Sequence, residues 1–239
     1  MKYANIYSSS GARSYDSGLR DYMYLIYGNM GLSLLISGLV AFLVGKSQIL
    51  LSIFFSSWPI VIAISLAPMF VIHSMGRNLN LLSSSELRVK LFIVASLMGI
   101  SIAPIFIIYS GQSIAVTFLT AALTFGTTSL YGYVTKRNLM DLSSFITMGL
   151  FGIIGASLIN LFLKSSSLDY TISTIGIIVF IVFVAFNVQK LKILYNRYAA
   201  SNEDIIGKIA VIGALELYLD FVNLFIYLLH FLGKRTRQD

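Results

Sequence analysis

The chain has 239 residues, of which 57% are hydrophobic and only 11% charged. Soluble domains carry about 25% charged residues, so composition excludes a water-soluble globular fold and indicates an integral membrane protein in a lipid bilayer. The net charge of +7 is then no argument for nucleic acid, because membrane proteins gather Lys and Arg in cytoplasmic loops beside anionic headgroups.

Residues 1–21 are polar and contain no apolar run of the signal-peptide kind, so they read as a cytoplasmic N-terminal tail. Seven apolar spans occupy residues 22–233, and residues 234–239 form a short basic C-terminal tail. The first span covers about 22–44. The second, about 49–73, contains Trp58, Pro59 and Pro68, and proline inside an apolar run predicts a kinked or broken helix. His73, near its end, reads as an interfacial histidine. Ser83 and Glu86 are spaced as a capping box ahead of the third span, about 89–109, which contains Pro104. The fourth, about 113–134, is rich in Thr, Ala, Gly and Ser. Small residues suit close helix packing in lipid, and lining a polar path is the alternative. The fifth span covers about 142–163. The sixth covers about 170–186 and leads into Asn187 and the basic stretch QKLKILYNRY. One internal echo, Arg77-Asn78-Leu79 against Arg137-Asn138-Leu139, reads either as a trace of duplicated helix pairs or as chance.

The last span, about 205–232, differs from the others. Gly213, Glu216, Asp220, Asn223, Tyr227 and His230 follow at steps of three and four, so a helix aligns them on one face. An acid at the centre of a membrane helix costs roughly 2.5–3.5 kcal/mol. Two acids therefore turn to protein or water, and this helix belongs inside a bundle. Intramembrane acids are by default ion ligands, proton carriers or pairing groups, and packing glue between helices is the structural alternative for both. Glu216 and Asp220 stand one turn apart, close enough to couple.

Lysine and arginine placement sets the orientation. A cytoplasmic N-terminus puts Lys2, Arg13, Arg20, Arg77, Arg88, Lys90, Lys136, Arg137, Lys190, Lys192, Arg197 and Lys208 inside. Only Lys46, Lys164, Lys234, Arg235 and Arg237 then lie outside. Seven spans leave the C-terminus external; the basic tail instead favours a re-entrant last segment. Enzyme signatures are missing: no HExxH, GxSxG or P-loop occurs, so an enzyme is not expected. The two histidines are far apart, and without cysteine neither disulfides nor thiolate metal sites form.

The stretch AVTFLTAALTFGTTSLYGYVTKRNLMDLSSFITMGLFGIIGASLINLFL (115–163) and the stretch GALELYLDFVNLFIYLLHFLG (213–233) resemble the Bax inhibitor motif family, whose bacterial members sit in the inner membrane. The likeness covers nearly the whole chain. It implies an all-α polytopic bundle of seven transmembrane helices, the seventh central and wrapped by two three-helix layers. It also implies a pH-sensitive calcium leak, with calcium as transported ion and no cofactor. For one bacterial member the role is instead to bind and modulate a membrane-anchored ATP-dependent protease.

In calcium-leak members an aspartate on the sixth helix and one on the seventh form a pH-sensing pair. The seventh-helix position matches Asp220 in YLDFVNLF. The sixth falls in the pattern Asp-Thr-Gln, which reads Asn187-Val188-Gln189 in this chain. An amide can hydrogen-bond to a carboxylate but cannot titrate, so the two-carboxylate switch is degenerate. The basic residue that latches the pair from the second helix in some members has no counterpart between Ser47 and Gly76. Calcium prefers several oxygen ligands. Asp220 and Glu216 are the carboxylates available to it, with neutral oxygens from Asn187 and Asn223. Two readings follow: a cation leak along the seventh helix, or a non-conducting regulator of a membrane protease or another membrane complex.

Overall fold

Backbone N–H and C=O groups cannot stay unpaired in hydrocarbon, so long apolar runs of this kind must close their hydrogen bonds internally as helices. A computed structural model describes residues 4–236, with side chains described from residue 17 onward. Lys2 and Arg237 lie outside the described residues, as does the side chain of Arg13. Helix α1 (Ala4–Lys46) already includes most of the polar tail, and its apolar part is Ser17–Lys46.

The second apolar run is broken, as Trp58 and Pro59 predict. Helix α2 (Gln48–Phe55) stops at Ser56-Ser57, and α3 (Trp58–Arg77) restarts with Pro59 in its first turn. There a missing N–H costs no hydrogen bond. The third run divides into α4 (Ser84–Ile102) and α5 (Ile105–Ile108) around Ala103-Pro104. Helix α4 starts earlier than the apolar run because both halves of its capping box form. Ser83 Oγ accepts from Glu86 N, and Ser83 N donates to Glu86 Oε2 at 2.7 Å.

Helix α6 (Gly111–Val134) is followed by a 3-10 turn (Leu139–Leu142) that runs into α7 (Ser143–Leu163). Helix α8 (Ser166–Tyr198) does not stop at Phe186 but carries Asn187 and the basic stretch in helical form. Helix α9 (Glu203–Leu232) completes a set of seven segments long and apolar enough to cross a membrane. The two copies of the internal echo differ locally. Asn78 ends α3 and donates to Ser74 O, whereas Asn138 opens the 3-10 turn and accepts from Met140 N.

Helix α9 lies at the centre and packs against α1, α4, α6 and α8. Helix α3 packs on α4, and α7 on α8. The layers α1–α3–α4 and α6–α7–α8 therefore flank α9, the arrangement the resemblance implies. The core is drawn from all sides, with Leu217, Tyr218, Leu224 and Leu229 of α9 meeting Val184, Val188 and Leu191 of α8, Leu87 and Leu91 of α4, and Ile26 of α1. Outward faces carry exposed Phe70, Leu123, Phe151 and Phe162, which only lipid can satisfy without aggregation. Several hydroxyls on these faces bond back to their own helix, Thr120 to Val116 O at 2.9 Å and Thr147 to Ser143 O at 2.8 Å.

Close approach needs glycine at Gly132, where a Cβ would lie 2.8 Å from Ala185 Cα, across the α6–α8 contact. After α9 the chain turns back along the α5–α6 connection. Thr236 N donates to Ile108 O at 2.9 Å, and Lys234 N to Ser113 Oγ at 2.9 Å.

Candidate functional site

Helices α8 and α9 are antiparallel neighbours joined by a short connection. Asn202 caps the second of them, its side chain accepting from Ile205 N at 2.9 Å. The polar stripe of α9 is turned to α8 over most of its length. Asn187 Nδ2 donates to Asp220 Oδ2 at 2.7 Å, with each residue 3% exposed. A buried carboxylate without a partner would cost several kcal/mol, and the amide donor is the partner it has. One turn nearer the α8–α9 connection, Lys190 Nζ donates to Glu216 Oε1 at 2.7 Å. Both members of this pair are about one-third exposed. Beside it Gly213 lies against Leu191. On the other side of Asp220, Tyr227 stacks on Phe180 with ring centroids 5.6 Å apart and packs against Gly176.

The other stripe residues are less tied. Asn223 is half-buried and has no side-chain hydrogen-bond partner among the described residues. His230 stacks on Tyr109 at 6.4 Å near the far end of α9. Glu216 Oε2 is buried without a hydrogen-bond partner, and so is the hydroxyl of Tyr22 on α1, which lies within electrostatic reach of Glu216. Two polar groups at one place in the interior thus keep unused hydrogen-bonding capacity.

A cavity of about 630 Å³ runs along this interface. It is bounded by Leu79 and Asn80 of the α3–α4 connection, Leu191, Leu194 and Tyr198 of α8, and α9 from Asp204 to Glu216. At its mouth Asp204 accepts from Ser84 N and from Lys208 Nζ, both at 3.0 Å. At its inner end stands Glu216, and Asp220 lies one turn deeper. Among the described residues no group of three or more His, Cys, Asp or Glu side chains is placed to hold a metal ion.

Two residues were missed by reading the sequence alone. Lys190 read as part of a basic stretch beyond the sixth span, yet it follows Asn187 by three residues and so shares its helix face. Glu216 precedes Asp220 by four. Once Asn187 and Asp220 are paired on antiparallel helices, Lys190 and Glu216 must meet. Gln189 is the second. Its Nε2 donates to Arg137 O at 2.8 Å and its Oε1 accepts from Leu139 N at 2.7 Å. It therefore clamps the α6–α7 connection onto α8.

The fold and site define a polytopic helical membrane protein with a hydrogen-bonded carboxylate buried on its central helix. The model of the family described as "Inhibitor of apoptosis-promoting Bax1" matches residues 19–237. An uncharacterized protein of Rickettsia prowazekii (strain Madrid E) is 40% identical over 228 residues, covering 95% of each chain. The "Inner membrane protein YbhL" of Escherichia coli (strain K12) is 36% identical over 219 residues, 92% of this chain and 94% of its own. A third relative, from Borreliella burgdorferi, is 37% identical over 210 residues, 88% of this chain and 90% of its own. The chain belongs to the Bax inhibitor family.

Proposed function

We propose that the chain is a passive cation leak pathway of a bacterial inner membrane, with calcium the ion it favours, and not an enzyme. The observation that carries this reading is the position of Asp220. It is a buried carboxylate on the central helix, one turn beyond a cavity of about 630 Å³ that ends at Glu216. An acid kept at such depth despite its cost is a residue with a task. In the conformation described the path is closed. The Asn187 amide occupies Asp220, Lys190 occupies Glu216, and Leu217, Tyr218 and Leu224 fill the core around them. Opening requires α8 and α9 to separate enough for a cation to replace both donors. With an amide in place of the second aspartate, the switch responds to pH more weakly than one with two carboxylates.

The orientation proposed is a cytoplasmic N-terminus. The bundle end that bears the α3–α4, α6–α7 and α8–α9 connections holds most of the Lys and Arg, so the cavity opens to the cytoplasm. The inner membrane follows by analogy with the relative YbhL, which is named for it.

One observation favours a second reading. Both acids already have partners within the chain, and among the described residues no third acid joins them. A protein so satisfied can act without conducting, as a regulator that binds a membrane-anchored protease or another membrane complex. Calcium flux into liposomes holding the purified protein separates the two. Flux above that of empty liposomes, lowered by Asp220→Asn, supports the leak; no flux from folded protein supports the regulator.

A further inference from the structure

The bundle is open between α1 and α6. Both pack on α9, yet they barely touch each other. A hydrogen bond between the hydroxyls of Tyr27 and Ser129 spans the gap. Beside it lies a cavity of about 540 Å³ with an apolar wall that includes Met23, Phe125, Gly126 and Leu130. A Cβ at Gly126 would meet nothing within 4 Å, so this space is left unfilled by protein. A separate apolar cavity of about 460 Å³, floored by Phe221 and Phe225 of α9, lies between other parts of α1 and α6. In a membrane-spanning bundle, hydrocarbon chains are what face such an opening.

One end of the seam is charged. Arg20, near the start of the apolar part of α1, lines the first cavity together with Tyr133. Arg20 is exposed and has no ion-pair partner among the described residues. Lys192 adds a second positive charge, its Nζ 5.2 Å over the ring of Tyr133. Among the described residues no carboxylate lines the cavity. A basic opening between transmembrane helices, continuous with an apolar slot, matches an anionic headgroup followed by an acyl chain.

We propose that the α1–α6 seam binds one anionic phospholipid, its phosphate at Arg20 and an acyl chain laid along Met23, Phe125, Gly126 and Leu130. The site is distinct from the proposed leak, since none of Asn187, Lys190, Glu216 and Asp220 lines either cavity.

The test titrates the purified full-length chain in detergent with dioleoyl phosphatidylglycerol and, separately, dioleoyl phosphatidylcholine. Bound lipid is counted by native mass spectrometry. Phosphatidylglycerol is expected to bind roughly fivefold more tightly, the factor that corresponds to about 1 kcal/mol for one arginine near a headgroup. Arg20→Gln is expected to erase that preference. Gly126→Leu, which grows into open space, is expected to remove the tight adduct of either lipid. Gly152→Leu on α7 also meets nothing within 4 Å and is expected to leave the adduct intact. Equal binding of the two lipids by the unaltered chain overturns the proposal, as does an unchanged adduct in Gly126→Leu. Should Gly126→Leu fail to fold, Arg20→Gln decides alone, and an undiminished preference there overturns it.

Discussion

Lys190 on α8 and Glu216 on α9 form a 2.7 Å ion pair one helical turn from the hydrogen bond that joins Asn187 to Asp220. The two contacts lie in series between the 630 Å³ cavity and the middle of the bundle. A cation entering from that cavity would meet the lysine ammonium before it met Asp220. On the proposed leak pathway Lys190 is a tethered positive charge at the entrance, held by Glu216.

Removing that charge should therefore open the entrance. Lys190→Met is expected to raise cation flux severalfold, because Glu216 then faces the cavity without a counter-charge. The cost in stability should be small. A pair about one-third exposed contributes roughly 1 kcal/mol or less, so the melting temperature should fall by only a few degrees. Flux in liposomes and thermal unfolding in detergent check both halves. Unchanged flux in a folded variant would remove Lys190 from the path.

Asn187→Asp tests the altered switch. It places a second carboxylate at the position that now donates to Asp220. Two facing carboxylates with little water share one proton and titrate as a pair. The variant should show a flux that changes between roughly pH 6 and 8, where coupled carboxylates can titrate, while the unaltered chain shows a flatter curve. Flux measured against pH for both proteins checks this, and superimposable curves would contradict it.

Gly132→Leu should be among the more damaging single changes in the chain. Its Cβ would lie 2.8 Å from Ala185 Cα, backbone that cannot step aside without separating α6 from α8. Overpacking of this kind costs about 1–3 kcal/mol or more, and the melting temperature should fall accordingly. Gly152→Leu, in open space on α7, should leave it nearly unchanged.

Topology is checked on a background without native cysteine. Cysteine placed at Asn80 or Ser201 should label only from the cytoplasmic side. At Ser165 or Lys234 it should label only from outside, because residues 234–236 pair with the α5–α6 connection at that end. Cytoplasmic labelling of Lys234→Cys would contradict seven full spans and favour a re-entrant last segment.

Much of this was legible before the structure, and for definable reasons. Apolar run length marks a membrane helix, so the seven spans could be read directly. Trp58-Pro59 announced the interruption of the second run, whereas Pro68 stays inside α3 without breaking it and the break at Pro104 was not foreseen. The stripe from Gly213 to Asn223 showed that α9 must be inside. Hydropathy failed where helix and apolar run part company. Helix α8 continues through Asn187, Gln189, Lys190 and Lys192, since charge ends a hydropathy run but not a helix. Lys190 was lost for that reason. The α1–α6 seam has no signature in any single segment. It arises because α9 holds both helices apart, a property of the assembled bundle.

On the leak proposed above, a cation crosses the bundle at the Asp220 carboxylate. The direct measurement is calcium entry into liposomes containing equal amounts of folded wild-type and Asp220→Asn protein. An amide at residue 220 keeps the size of the side chain and can still accept from Asn187, so the bundle should remain intact by thermal unfolding. Wild type is expected to admit calcium above the empty-liposome rate, and Asp220→Asn to fall close to that rate. Equal calcium entry in the two folded proteins would contradict the leak.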